Sequence, residues 1–138
     1  MKIEELELLA EEMIFEGPLS GVMASDTVLK KIDELEANSP GRIKSFMNRF
    51  IKMKIEHPEI ALNAKDERFR SSVLKEFFHI HIVTGKLMLI YNFNNNHLML
   101  YDIVKHDSYE GQKRIKALYN ALKGYQLQKI SPDTFNPS

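Results

Sequence analysis

Between Phe77 and Val104 the sequence alternates with a period of two, and two turn signals cut the run into three segments. In "FFHIHIV", Phe78, Ile80 and Ile82 fall on one side, with Phe77, His79, His81 and Val83 on the other. Thr84-Gly85 marks a tight turn. "KLMLIYNF" then sets Leu87, Leu89, Tyr91 and Phe93 against Met88, Ile90 and Asn92, and Asn94-Asn95-Asn96 gives the second turn. "HLMLYDIV" completes a three-strand antiparallel meander from about residue 76 to 104. These strands are nearly apolar on both sides. Such a sheet needs cover on both faces, or cover on one and a ligand or partner surface on the other.

The cover comes from helical patterns on either side of the meander. Residues 3–15 space Ile3, Leu6, Leu9 and Met13 as one apolar stripe among glutamates, and Gly17-Pro18 ends the stretch. "SGVMA" reads as a short strand. Ser25 or Asp26 can cap a helix lined by Leu29, Ile32 and Leu35. Ser39 and Pro40 suit the N-cap and first position of the next helix, whose stripe is Ile43, Phe46, Met47 and Phe50. The short link favours an antiparallel helical hairpin. A last helix over about 109–123 points Ile115, Leu118 and Leu122 inward, with Gly124 suited to C′ and Asp107 to capping. The predicted class is α+β: N-terminal helices, then an antiparallel β-meander and a C-terminal helix. The expected organisation is an acidic amphipathic helix over 1–17, one α+β domain over 18–125 and a flexible tail over 126–138. Residues 61–73 give no clear pattern.

Composition narrows the function. A chain of 138 residues suits one core. It has no Cys, hence no disulfide framework, thiolate nucleophile or thiolate metal site. No apolar run reaches the roughly 20 residues of a membrane span. The amino end is acidic where a signal peptide would be basic, so a cytoplasmic location is expected. Net charge is zero but unevenly spread. Residues 1–40 hold three basic and ten acidic residues, and residues 41–138 hold sixteen basic and nine acidic. Either the halves neutralise each other internally, or a basic surface meant for a polyanion is balanced by the acidic opening segment.

Phosphate-loop, dinucleotide, zincin and nucleophile-elbow motifs are absent. What remains is a set of histidines. His79 and His81 share a strand face, about 7 Å apart by strand rise. A metal would need a third ligand, and none has a diagnostic spacing, so no metal and no cofactor are expected. His106 stands where the last strand ends, followed by Tyr109. Histidines can exchange protons near neutral pH, while cations stabilise a phosphate. Arg68, Arg70, Lys75, Lys105, Lys113 and Arg114 are the candidate RNA-binding residues.

"FHIHIVTGKLMLIYNFNNNHLMLYDIVKHDSY" resembles the carboxy-terminal half of RelE/YafQ-type bacterial toxins, the ribosome-dependent mRNA interferases of type II toxin–antitoxin systems. The likeness rests on His81, the Ile90-Tyr91 strand core, the apolar strand around Leu98-Leu100, and His106 with an aromatic soon after it. It spans about residues 74–110, or 20–123 if "SDTVLKKIDEL" is the first strand-to-helix passage. The resemblance implies a curved antiparallel sheet and cleavage of ribosome-bound mRNA by 2′-hydroxyl attack. It implies His106 and His81 as catalytic residues with Tyr109 beside them, and an antitoxin as partner; His79, on the same strand face as His81, joins them as a candidate catalytic residue. The chain departs from the pattern in having Thr84-Gly85 where an Asp is expected, in lacking Trp, and in its neutral charge. These departures fit an alternative: a non-catalytic protein of the same fold that binds or assembles, as a homo-oligomer or with a partner.

Overall fold

The computed structural model describes residues 18–82, 86–106 and 111–136. The acidic opening helix, the Thr84-Gly85 turn, the capping role of Asp107 and the position of Tyr109 lie outside the described residues. Strand β1 (Gly21–Ser25) leads into helices α1 (Asp26–Asn38) and α2 (Arg42–Glu56). Strands β2 (Asp66–Arg68), β3 (Phe78–Ile82), β4 (Leu87–Asn94) and β5 (His97–Lys105) follow, then helix α3 (Gln112–Gly124) and strand β6 (Leu127–Ile130). The class is α+β, with the meander at the expected positions. The order differs from expectation in that a strand precedes the described helices and another follows the last one.

The six strands form one mixed sheet in the order β2-β3-β4-β5-β1-β6. β1 lies parallel to β5, with Gly21 beside His97 and Ala24 beside Leu100. Parallel neighbours need a long crossover, and the α1–α2 hairpin provides it. β6 runs antiparallel to β1 as an edge strand. The segment expected as a flexible tail therefore contributes a strand, and Phe135 beyond it is buried in the main core.

Local chemistry sets the element ends. The Ser25 hydroxyl accepts from the Val28 N–H at 3.0 Å and caps α1. α2 starts two residues later than the sequence suggests: Ser39 closes α1, and Gly41, with φ of 83°, precedes Arg42. Gly41 has no side chain to cap with, and Glu36 reaches across from α1 instead. Its carboxylate accepts from the Gly41 N–H at 2.7 Å and the Lys44 N–H at 3.0 Å. These backbone donors hold the Glu36 carboxyl below its usual pKa. The β4–β5 hairpin turns on Asn95 and Asn96, both with positive φ, a conformation that Asn tolerates. Gly124 is the last residue of α3 rather than its C′ residue, and Tyr125 is the cap.

Each sheet face has its own core. Against α1 and α2 lie Ile80, Ile82, Leu89, Tyr91, Leu98 and Leu100, meeting Val28, Ile32, Met47, Phe50 and Ile51. Against α3 lie Phe77, Met88 and Ile90, with Phe69 and Leu74 from the preceding loop, meeting Leu118 and Leu122. The alternation read from the sequence divides β3 and β4 between these cores as expected. In β5 the alternation breaks. Ile90 pairs with Asp102 but Tyr91 pairs with Leu100, so Tyr101 is an extra residue in a β-bulge. Leu98 and Leu100 face α1 and α2. Past the bulge, Ile103 takes that face and Val104 turns toward α3.

Candidate active site at the histidine face

The bulge decides where His106 points. Strict alternation from Leu100 would carry residues 102, 104 and 106 to the α1–α2 side. One extra residue reverses that parity. His106 therefore emerges on the α3 side, where β3 presents His79 and His81. Its N–H donates to the Lys86 carbonyl at 2.9 Å, which fixes its backbone beside the start of β4.

The three imidazoles form a row. The His81 and His106 rings meet edge to face with centroids 5.0 Å apart. His79 and His81 lie 5.9 Å apart. At that contact distance no phosphate fits between the His81 and His106 rings, so one would sit across their outer edges. His79 is buried, packed against Phe69 at 4.4 Å between ring centroids, and its Nε2 is 4.0 Å from a Glu67 carboxylate oxygen. Burial lowers its pKa, and the pull of Glu67 in the other direction does not cancel that effect. His79 is thus a neutral neighbour, while the half-buried His81 and the exposed His106 meet solvent. No group of three His, Cys, Asp or Glu suited to a metal occurs among the described residues.

The predicted RNA-binding residues divide between the faces. Arg70 and Lys75 are exposed in the loop that packs Phe69, Leu74 and Phe77 on the α3 side. Lys113 and Arg114 are exposed in the first turn of α3, which covers that face. Arg68 does not join them. It pairs with Phe78, places its guanidinium 4.9 Å from that ring, and lies on the α1–α2 side. Lys105 lies opposite Leu87, lining a recess with Lys31 and Ile103 on the same far side. The bulge that brings His106 to the histidine face turns Lys105 away from it.

Two polar clusters carried no signal in sequence. On the α1–α2 side, Lys54 and Asp66 are both buried and 2.8 Å apart. Lys54 also donates to the Ile60 carbonyl at 2.7 Å, and the Leu62 N–H donates to Asp66 Oδ2 at 2.7 Å. The Tyr91 hydroxyl donates to the other Asp66 oxygen, and burial, then the Asp66 charge, push its pKa far up. The second cluster centres on Asp102, which accepts from Lys31 at 2.7 Å and from the Tyr125 hydroxyl at 2.6 Å. Burial, followed by that hydrogen bond, pushes Tyr125 up to about 12. Both clusters satisfy their buried charges and serve the scaffold.

No family model matches the chain, and no curated protein does. Among solved structures it is similar to a conserved hypothetical protein from Helicobacter pylori, determined in solution. That similarity has a TM-score of 0.40 at 20% identity and covers 63% of this chain and 94% of the other. No described helix is long and apolar enough to cross a membrane.

Proposed function

We propose that the protein is a ribosome-dependent mRNA endoribonuclease of the RelE/YafQ type, the toxin of a type II toxin–antitoxin pair acting in the cytoplasm. The observation that carries this reading is the contact between His81 and His106 on the α3 side of the sheet, rings 5.0 Å apart. In the proposed reaction the 2′-oxygen of one nucleotide attacks its own 3′-phosphorus. One imidazole takes the 2′-hydroxyl proton, and the other gives a proton to the departing 5′-oxygen. The P–O5′ bond breaks as the P–O2′ bond forms, leaving a 2′,3′-cyclic phosphate and a 5′-hydroxyl end. Arg70, Lys75, Lys113 and Arg114 supply positive charge along the flanking backbone, and the resemblance assigns Tyr109 the role of the family's aromatic residue. His79, kept neutral, supports His81. The partners are mRNA held on the ribosome and an antitoxin protein.

The test is translation-dependent cleavage of mRNA by wild type, H106A and H81A, with folding of each confirmed by circular dichroism. Loss of a general acid or base lowers the rate by about 10²- to 10⁴-fold. Equal cleavage by wild type and both folded variants overturns the assignment.

One observation favours a second reading, a non-catalytic protein of the same fold that binds or assembles. Arg68 and Lys105 face the far side of the sheet, so the histidine site has fewer cations for a phosphate than the sequence suggests. That reading requires a stable homo-oligomer or heteromer covering His81 and His106 and no growth arrest on expression. A monomer in sedimentation, together with arrest that H106A relieves, excludes it.

A further inference from the structure

The α1–α2 cover stops short of the outer strands. Pro58, Ala61, Phe78 and Phe93 line a groove of about 270 Å³ where the end of α2 meets β2, β3 and β4. Lys54, Asp66 and Tyr91 also line it, with their charges already satisfied among themselves and the backbone. Phe78 and Phe93 stand edge to face with centroids 5.6 Å apart, and both are half-buried, so ring surface remains in solvent. Ile60 borders the groove: its carbonyl accepts from Lys54 at 2.7 Å, and the residue is 47% exposed. A lone exposed isoleucine is ordinary. One that adjoins two half-open aromatic rings belongs to a patch that calls for cover.

The described chain begins beside this groove. The Leu19 N–H donates to the Ile55 carbonyl at 2.6 Å, and the Ser20 N–H donates to the Asn96 carbonyl at 2.7 Å. Pro58 follows Ile55 by three residues, and Phe93 precedes Asn96 by three. Just upstream of Pro18 the sequence reads "EEMIFEG", with Met13, Ile14 and Phe15 in a row between glutamates. Phe15 is three residues from Pro18, a reach of up to about 11 Å. An occupant on so short a tether competes at a local concentration on the order of millimolar. Charge assists at one point. Arg68 is exposed, holds its guanidinium 4.9 Å from the Phe78 ring, and has no carboxylate partner among the described residues. Glu59 and Glu67 also line the groove, 3.8 Å from His57 and 4.0 Å from His79. Apolar contact, rather than net charge, therefore has to hold the occupant.

We propose that residues 13–15 dock in this groove in cis, with Phe15 against Phe78 and Phe93, and complete the cover of the α1–α2 side. Arg68 attracts the glutamates that flank the triplet. The groove lies on the side of the sheet away from the histidines, so this contact stands or falls separately from the proposed cleavage.

The chain has no Cys, so an introduced pair reports proximity without interference. In the full chain, Glu16→Cys with Ala61→Cys should close an intrachain disulfide under mild oxidation, seen as a faster-migrating band at monomer mass. The control pairs Glu16→Cys with Lys123→Cys, exposed on the α3 side beside Asn94 at the same end of the sheet. The first pair should close at least about tenfold faster than the control, and adding Phe15→Asp should slow it about tenfold. Circular dichroism confirms the fold of each variant. Equal closure of the two pairs overturns the proposal, as does closure that folded Phe15→Asp leaves unchanged. A disulfide that forms only between chains overturns it too, and assigns the groove to a second copy.

Discussion

The two faces of the sheet are finished to different degrees. Under α1 and α2 the apolar cover is broad, and the charges taken out of water there, Lys54 and Asp66, meet each other along with backbone and phenol partners. Under α3 the cover is narrower: Leu118 and Leu122 are its buried helix residues, and the histidine row and a cleft beside Asn92 lie beyond it. A face with complete cover and satisfied charges is scaffold. A face that one helix covers only in part keeps polar groups within reach of solvent, and chemistry can be placed there.

The sharpest way to break this contrast is at the buried pair. Lys54→Ala leaves the Asp66 charge buried without its cation and should cost about 3–5 kcal/mol in urea unfolding. A loss below about 1 kcal/mol would mean that the pair acts like a surface ion pair. The two cores can then be compared directly. Phe50→Ala, in the α2 side of the larger core, should cost about 3–5 kcal/mol, and Leu122→Ala should fall toward the lower end of about 2–5 kcal/mol. A larger loss for Leu122→Ala would reverse the ranking of the two faces.

The smallest effect concerns His79. Burial holds its folded pKa below the ordinary value of 6.5. Between those two values the unfolded chain binds a proton that the folded chain does not. The contribution is therefore complete above about pH 6.5 and shrinks as the pH falls toward the folded pKa. His79→Gln should flatten the decline in urea midpoint between about pH 7.5 and 5.5. An unchanged pH dependence would place the acid sensitivity in other groups.

Much of this contrast could be read from residue spacing, because β3, β4 and α3 each bury one regular side. Phe78, Ile80 and Ile82, then Leu89 and Tyr91, fell on the larger core as the alternation required. Ile115, Leu118 and Leu122 fell on the smaller one. What spacing could not supply were pairings between distant segments. Asp66 sits in a polar stretch with no clear pattern, and its burial depends on Lys54, 12 positions earlier in the chain, and Tyr91, 25 positions later. β6 is a four-residue edge strand with exposed Gln128 and Lys129 at its centre, and Phe135 is a lone apolar anchor in "SPDTFNPS". Neither has a period. The site was legible in part: His81 and His106 were visible as strand and strand-end residues, but the sides taken by Arg68 and Lys105 depend on partner register and on a bulge.

That bulge makes facing a matter of counting rather than of residue identity. Tyr101 changes the parity of everything after it in β5, so Lys105 and His106 exchange sides because of a residue four or five positions away. A relative one residue shorter between Leu100 and Ile103 would keep its terminal histidine in the sequence and present it to the opposite solvent. Two such chains could be aligned through a single gap, histidine over histidine, and still differ in the one property that brings the imidazoles together.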